Sequence, residues 1–201
     1  MLSTRRTQPE RTAVTRRALV TAARQLFGRE GYAAVGTERI ARQAAVTRGA
    51  LYHQFGDKAE LFAAVLDEVE GEIATRMTGA VVGLDPADTA ALLLAGADAW
   101  LDACAEPDIQ RIVLLDGPSV LGWERWRVIC LHHSVGLVAA LLADGIARGA
   151  IPPQPVDPLT HVLVGAVDEA ALYVARADDP VNARIGIAAV LRRLANAITM
   201  P

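Results

Sequence analysis

The stretch Thr37–Lys58, TERIARQAAVTRGALYHQFGDK, constrains the fold more than any other part of this 201-residue chain. Its first part places Ile40 and Ala44 four residues apart on an apolar face, which predicts a short helix. The next two residues predict a tight turn, and Thr47 can then cap a second helix. The stretch therefore predicts two short helices joined by a turn, with the start of a third helix behind them.

The second helix of this pair has a buried face and an outward face. Val46 and Leu51 occupy the two positions of a hydrophobic staple across the predicted cap, and Phe55 continues the buried face one turn later. The outward face carries a cation, a hydrogen-bonding aromatic ring, an imidazole and a glycine that permits close approach, namely Arg48, Tyr52, His53 and Gly49. A helix-turn-helix places such a helix in the major groove of DNA.

The stretch resembles the DNA-binding domain of the TetR family of bacterial regulators. The matching residues run from Arg16 to Leu66 and include LFGREGY, ERIA and AAVTRGALYHQFGDKAEL. The resemblance implies an all-α protein of about nine helices, with a three-helix DNA-binding helix-turn-helix domain at residues 1–57. It also implies a helical domain at residues 58–201 that binds an effector and dimerises.

The resemblance and the chemistry of the outward face together predict which residues contact double-stranded operator DNA. We expect Arg48 to read a base edge, with guanine as the favoured partner, and Gly49 to let the backbone approach the groove. The matching Lys of the family lies on a DNA phosphate. The residues expected to hold phosphates and fix the register are Thr37, Thr47, Tyr52, His53 and Lys58.

Two positions depart from the family pattern. The turn usually carries Gly where this chain has Ala45, and Ala at a positive φ costs on the order of 1 kcal/mol. Gly36 stands where the family often has a Ser or Thr cap, although Gly is an acceptable cap.

Residues 1–11 are predicted to be a disordered arm. Its arginines, Arg5, Arg6 and Arg11, either reach DNA or belong to a plain flexible tail.

Charge is unevenly distributed along the chain. Residues 1–60 carry 11 Lys and Arg against 5 Asp and Glu, whereas residues 61–201 carry 9 against 18. A basic first part on an acidic body is what a DNA-reading head would show, although basic residues can also simply solubilise a helical surface. Hydrophobic residues make up 52% of the chain, so a large core can be buried.

The sequence predicts a cytoplasmic protein. No apolar run reaches the 18 or so residues of a membrane span, and the first residues lack the apolar region of a secretory signal. Cys104 and Cys130 have no metal-ligand spacing, so buried reduced thiols are expected, with a redox switch as the alternative. No metal or cofactor is predicted.

Helical periodicity and three Asp-Pro pairs predict the remaining helices. A long helix follows Asp57, which forms a predicted capping box with Glu60. Asp85-Pro86, Asp157-Pro158 and Asp179-Pro180 each place an N-cap before a Pro at the first helical position. The later helices are predicted near residues 86–105, 107–115, 122–148, 158–176 and 180–198.

The last two predicted helices are apolar on more than one face. On the first of them, Leu159, Leu163 and Ala166 lie on one side, while Val162 and Leu172 lie on another. A helix with two apolar faces must bury both. We therefore expect a homodimer through these two helices, with a monomer of very hydrophobic core as the alternative.

A stripe of aromatic, thiol and imidazole side chains predicts a pocket in the body. Its members recur at helical spacing, and the alternative is ordinary core packing. The resemblance favours the pocket, because family members typically bind an effector between these helices. The candidates for a small hydrophobic or aromatic effector are Trp100, Cys104, Asp116, Trp123, Trp126, Cys130, His133, Leu137 and Asp168.

Three functions compete as explanations of these residues. A repressor released from a palindromic operator by a small molecule is the favoured one. A helical enzyme lacks a nucleophile elbow, a phosphate loop or a zinc signature in the sequence. A regulator without a small-molecule effector, controlled by a protein partner or thiol oxidation, remains the alternative, and a solid core instead of a cavity would favour it.

Overall fold

The computed structural model describes residues 8–199, and every regular element in that part of the chain is helical. The predicted all-α fold is confirmed. The helices are α1 (Gln8–Glu30), α2 (Thr37–Gln43), α3 (Arg48–Phe55), α4 (Lys58–Ala80), α5 (Thr89–Cys104), α6 (Pro107–Gln110), α7 (Gly117–Leu121), α8 (Trp123–His132), α9 (Ser134–Ala147), α10 (Val156–Arg176) and α11 (Pro180–Thr199), with a π-helical segment, Arg111–Asp116, between α6 and α7.

Helices α1, α2 and α3, here called the head, pack around one apolar core. Leu19 and Phe27 of α1, Ile40 of α2 and Leu51 of α3 are fully buried there. Their spacing of three or four residues within each helix puts the apolar side chains on the faces that meet. The predicted buried faces of α2 and α3 therefore exist, and the opposite face of α3 is left outward.

Helix α1 begins earlier than predicted. Residues 8–11 were predicted to belong to a disordered arm, but α1 begins at Gln8 and contains Arg11. Pro9 fits the first turn, because the N–H it lacks has no partner there in any case, and Glu10 lies in the same turn, where an acid is favourable. Arg5 and Arg6 lie outside the described residues.

Helix α4 connects the head to α5–α11, here called the body. Its first half packs on the head through three aromatic rings, with Phe62 at 5.5 Å from Phe27 and 5.4 Å from Tyr32, measured between ring centroids. Further along, Arg24 of α1 donates to both carboxylate oxygens of Glu72, at 2.5 and 2.7 Å. The rest of α4 packs against α5, α8 and α9, so a single rigid element reaches both parts.

The Asp-Pro pairs mark helix starts less uniformly than predicted. Asp179 does cap α11, because its carboxylate accepts from the backbone N–H of Asn182. Asp85 instead closes a turn, and Asp88 caps α5. Helix α10 starts at Val156, so Asp157 lies inside its first turn. An Asp-Pro pair fits a helical first turn as well as a cap, and the neighbouring packing selects between them.

The long helix predicted over residues 122–148 is two helices with a bend of 59° between them. The break is at His133, whose φ of −114° and ψ of −102° are not helical. Gly136 permits the close approach at this bend, because a Cβ there would lie 2.6 Å from the carbonyl oxygen of Leu131. Gly136 was therefore the feature of the sequence that indicated a kink, which the helical periodicity of the apolar residues did not reveal.

The helix predicted near residues 107–115 continues further than expected, since the π-helical segment runs to Asp116 and α7 begins at Gly117. Gly117 makes room for Trp126, whose ring would lie 2.7 Å from a Cβ at that position. The indole Nε1 of Trp126 donates to the carbonyl oxygen of Val113 at 2.9 Å. This bond links α8 to the π-helical segment.

Within residues 8–199, no single helix is long and apolar enough to cross a membrane. The pair α8 and α9 passes that test of length and composition only when the two bent helices are counted together.

Candidate functional site

The outward face of α3 is held in place by the turn in front of it. Thr47 caps α3 as predicted, with its hydroxyl accepting from the backbone N–H of Ala50 at 3.1 Å. Ala45 in the turn has a φ of 54°, the left-handed conformation that the missing Gly would have favoured. Leu51 is fully buried and Phe55 nearly so. The orientation of the face is therefore set by a cap and by two core side chains.

Arg48 is the centre of a hydrogen-bonded network on this face. Its Nη1 donates to Glu38 Oε1 at 2.9 Å, and its Nη2 donates to Tyr52 Oη at 3.3 Å. Tyr52 Oη also lies 3.4 Å from Thr37 Oγ1. The hydrogen bonds from Thr37 and then Arg48 lower the pKa of Tyr52. These four exposed or half-buried side chains present one continuous polar surface across α2 and α3.

The other predicted residues of this face are open to solvent. Thr47, Gly49 and His53 are exposed. A Cβ at Gly49 would meet only Thr47 Oγ1, at 3.9 Å. Nothing within the described chain therefore prevents a groove from coming close to the backbone here.

Lys58 is half-buried, and its ammonium group is bound by other parts of the protein. Its Nζ donates to the carbonyl oxygen of Tyr32 at 2.7 Å and lies 3.8 Å from the centroid of the Tyr32 ring. Burial lowers its pKa, while the charge of Asp116 acts in the opposite direction. The sequence predicted an anion as the partner of this cation, and the structure gives it a carbonyl oxygen and a ring at the junction of head and body.

Asp116 belongs to that junction, although the sequence placed it among the pocket residues. Its Oδ2 accepts from the backbone N–H of Tyr32 at 2.8 Å. Asp116 lies at the end of the π-helical segment, so it links the body to the loop that leads from α1 to α2. Its predicted role at the pocket is therefore corrected.

A cavity of about 280 Å³ lies inside the body. It is lined by side chains from α4, α5, α8, α9, α10 and α11, it is partly open to the protein surface, and its wall is almost entirely apolar. Five of the predicted pocket residues line it, namely Trp100, Trp126, Cys130, Leu137 and Asp168. The body thus has an apolar cavity where the sequence allowed either a pocket or ordinary packing.

The three remaining candidates do not line the cavity. Trp123 is 64% exposed and stacks on Trp126 with 4.9 Å between ring centroids. His133 lies at the bend after α8, where its Nε2 is 2.8 Å from Asp67 Oδ1 of α4. Cys104 is buried elsewhere in the core. The predicted stripe assumed one straight helix, and the bend turns His133 away from it.

Sequence reasoning missed a buried polar cluster beside the cavity. Glu70 of α4 is fully buried, and its carboxylate accepts from the hydroxyl of Ser134 at 2.6 Å and from the thiol of Cys130 at 3.4 Å. Burial raises the pKa of Glu70 against the opposing effect of these bonds. The available signal was a carboxylate one turn after Leu66, on the apolar face of α4.

A second buried pair was also missed. Arg127 is only 7% exposed, and its Nη1 lies 3.9 Å from Asp168 Oδ2, beyond hydrogen-bonding distance. Its Nη2 lies 3.2 Å from His161 Nδ1. Burial raises the pKa of Asp168 to about 7, although the charge of Arg127 acts in the opposite direction. Both charged groups line the cavity.

The two cysteines are poorly suited to redox chemistry. Both are buried, and burial raises the pKa of each thiol well above its ordinary value. The thiolate is the reactive form, so these surroundings disfavour oxidation. Within the described chain, no three His, Cys, Asp or Glu side chains come together in a way that could hold a metal ion.

Two models of known families match this sequence. The model described as "Bacterial regulatory proteins, tetR family" matches residues 19–65. The model described as "Tetracyclin repressor-like, C-terminal domain" matches residues 89–198, more than half of the chain. The chain belongs to the TetR family of transcriptional regulators. The resemblance inferred from the sequence is thereby confirmed, for the head and for the body.

Individual relatives agree with this assignment. A TetR-family transcriptional regulator from Pectobacterium atrosepticum is 30% identical, with a TM-score of 0.77 over 98% of this chain and 99% of that one. The HTH-type transcriptional repressor SCO4008 of Streptomyces coelicolor is 29% identical over 73% of this chain and 72% of its own. RolR, solved in complex with resorcinol, shares the fold at 20% identity, with a TM-score of 0.72 over 96% of both chains.

Membership of the TetR family indicates the general roles of the head and the body. TetR-family regulators bind DNA and act as dimers, and their fold and relatives are those of transcriptional regulators and not of enzymes. The polar face of α3 belongs to the matched DNA-binding part, and the cavity belongs to the matched C-terminal domain.

Proposed function

We propose that this TetR-family protein is a repressor, released from a palindromic operator when a small apolar or aromatic molecule binds the body. Residues 1–57 form the DNA-binding domain, and residues 58–201 form the effector-binding and dimerisation domain. The observation that carries the proposal is the apolar cavity of about 280 Å³ in the body, connected to the head by α4.

The outward face of α3 enters the major groove. Arg48 leaves Glu38 to donate to a guanine, because both side chains are exposed and their ion pair is weak in water. Gly49 lets the backbone approach. The side chains that hold phosphates are Thr37, Thr47, Tyr52 and His53, with Lys58 turning from Tyr32 when a phosphate is present.

The dimer forms through α10 and α11. Both helices leave large apolar side chains in solvent, including Val162 and Tyr173 on α10 and Val181 and Ile185 on α11, each more than half exposed. Burying these faces against their symmetry copies removes that apolar surface from water. The dimer then presents two copies of α3 to successive major grooves, about 34–36 Å apart.

Helix α8 transmits occupancy of the cavity to the head. Trp126, Arg127 and Cys130 of α8 line the cavity. The same helix is bound to α4 by Arg125, which donates to Glu60, and by Cys130, which donates to Glu70. A ligand that fits one position of α8 better than another therefore shifts α4, whose first turn adjoins the head.

A small aromatic effector is consistent with the size and apolar wall of the cavity. RolR, which shares the fold, was solved with resorcinol, so a body of this architecture can hold a small aromatic molecule. A regulator without an effector, controlled by a partner or by thiol oxidation, remains the alternative. The buried thiols with raised pKa and the apolar cavity both favour control by an effector over control by thiol oxidation.

The first test is selection of bound duplexes from a random DNA pool at physiological salt. Enrichment of a palindrome is expected, because two copies of α3 related by a two-fold axis read two half-sites. The recovered operator then allows release by candidate effectors to be followed by fluorescence anisotropy. Failure to enrich any sequence, with and without candidate effectors, would contradict the proposal.

A cavity-filling variant separates effector control from the alternative. Ala97→Phe places a ring in the cavity wall, whereas Ala80→Phe places the same ring at the exposed end of α4. The first variant should keep operator binding and lose its response to an effector that releases the unaltered protein. Equal responses of the two variants would place the effector elsewhere.

A further inference from the structure

Two residues that line the apolar cavity each have a buried N–H group without an acceptor. Trp100 Nε1 and Arg127 Nε are enclosed and lack a hydrogen-bond partner within the described chain, and both residues line the cavity. An unpartnered buried donor costs about 1–3 kcal/mol. Proteins rarely keep two such donors in one place unless a bound water or ligand satisfies them.

The same wall contains a carboxylate that lacks a donor. The side chain of Asp168 is 18% exposed, and its nearest cation, Arg127 Nη1, is at 3.9 Å, too far for a hydrogen bond. Asp168 of α10 and Trp100 of α5 both line the cavity, and the two helices pack against each other.

The other polar groups of this region have partners already. Ser134 and Cys130 donate to Glu70, and Arg127 Nη2 contacts His161. Two donors and one acceptor therefore remain unpaired among the residues of an otherwise apolar wall. A cationic ligand would meet Arg127, and a carboxylate ligand would be repelled by Asp168 wherever that side chain is ionised.

We propose that the cavity takes an uncharged apolar molecule bearing a hydroxyl group, a phenol or an alcohol. Its O–H donates to Asp168, and its oxygen accepts from Trp100 Nε1 and Arg127 Nε after these two side chains shift toward it, because neither nitrogen is exposed to the cavity. This inference rests on the proposed effector function and defines its ligand class. A hydroxyl is the smallest group that supplies an acceptor and a donor at one atom, so it satisfies all three protein groups together.

The test is isothermal titration calorimetry of the full-length protein, without DNA, with three probes built on one ring system. The probes are 2-naphthol, which accepts and donates, 2-methoxynaphthalene, which only accepts, and 2-naphthoate, which is an anion. We expect 2-naphthol to bind at least tenfold more tightly than either of the others, because a hydrogen bond to a buried carboxylate is among the strong ones.

Variants assign the contacts. Asp168→Asn should weaken 2-naphthol about tenfold and leave 2-methoxynaphthalene unchanged, because the latter has no proton to donate. Trp100→Phe, which removes the N–H and keeps a ring, should weaken both probes several-fold. Glu124→Gln removes an exposed carboxylate of α8 and should change neither affinity.

Four results would overturn the inference. They are equal affinity for 2-naphthol and 2-methoxynaphthalene, tightest binding of 2-naphthoate, unchanged 2-naphthol affinity in Asp168→Asn, and binding of none of the probes. Release of the selected operator, measured separately by anisotropy, tests the proposed function. If 2-naphthol binds with the expected selectivity and releases no DNA, the ligand class stands and the proposed effector control fails.

Discussion

Arg125 of α8 forms a bidentate ion pair with the first turn of α4, donating to both carboxylate oxygens of Glu60 at 2.7 and 2.6 Å. The sequence assigned Glu60 to a capping box with Asp57, and only half of that motif forms. Asp57 accepts from the backbone N–H of Glu60, while the Glu60 side chain turns to Arg125 instead. The hydrogen bond from Arg125 lowers the pKa of Glu60. Helix α8, which lines the cavity, is thereby linked to the first turn of α4, next to the head.

Breaking this ion pair should loosen the junction without unfolding the protein. In Arg125→Gln, backbone amides of residues 58–66 should exchange hydrogen faster, because the first turn of α4 loses its bond to α8. Hydrogen exchange followed by mass spectrometry measures this. Arg148→Gln, which removes another exposed ion pair with Asp144, should leave those amides unchanged. Identical exchange in the two variants would show that the pair does not couple the helices.

Glu70 should be needed for stability as a hydrogen-bond acceptor and not as a charge. Glu70→Gln keeps an acceptor for Ser134 and should cost less than about 1.5 kcal/mol. Glu70→Ala leaves the Ser134 hydroxyl unpaired beside a void and should cost roughly 2–4 kcal/mol. Urea unfolding at fixed protein concentration measures both. Glu68→Ala, two residues earlier on α4 and exposed, should stay within about 0.5 kcal/mol.

Stability should decrease as pH rises from about 4 to about 7. Burial raises the pKa of Asp168 to about 7 in the folded protein, from an ordinary value of 3.8. The folded chain therefore holds a proton in this window that the unfolded chain releases. The free energy of unfolding should fall by up to about 1.4 kcal/mol per pH unit and level off above pH 7.

Asp168→Asn provides the control for this pH dependence. Its uncharged amide does not titrate, so the decrease should become smaller. It should not vanish, because Glu70 also has a raised pKa and acts in the same direction. Unfolding curves in urea at several pH values give the comparison, and an unaltered slope in the variant would refute the assignment to Asp168.

The turn between α2 and α3 should become more stable with glycine. Ala45 has a φ of 54°, which costs a residue with a Cβ about 1–2 kcal/mol, part of which glycine loses again in backbone entropy. Ala45→Gly should therefore raise the free energy of unfolding by about 0.5–1 kcal/mol. Ala50→Gly, inside α3, should lower it by a similar amount. Thermal unfolding of the two variants shows whether their effects have opposite signs.

Arg48 should determine base preference at one position per half-site. Arg48→Ala should relax that preference roughly tenfold to a hundredfold, because a bidentate contact to guanine is lost. Competition binding with operators changed at single positions measures it. Arg42→Ala, an exposed cation of α2, should leave the preference at every position as it is. If Arg48→Ala does the same, Arg48 is not a reading residue.

Local signals predicted much of the head and little of the cavity. The Thr47 cap and the buried positions of Leu51 and Phe55 depend on neighbours within a few residues, and each is present. The left-handed Ala45 follows equally from the turn alone. The cavity needs side chains from six helices, and no periodicity within one helix states which other helix will face it.

The sequence by itself determined the all-α fold, the helix-turn-helix and the family, because those depend on short-range spacing and on motifs read in order. Tertiary structure alone decided that the helix over residues 122–148 bends at His133, that Asp116 and Lys58 meet Tyr32 at the junction, and that Arg127 and Asp168 face a cavity. The physical reason is that helical periodicity specifies which face is apolar. Which residues that face buries, and which polar groups lose their water there, is decided only when distant helices pack together.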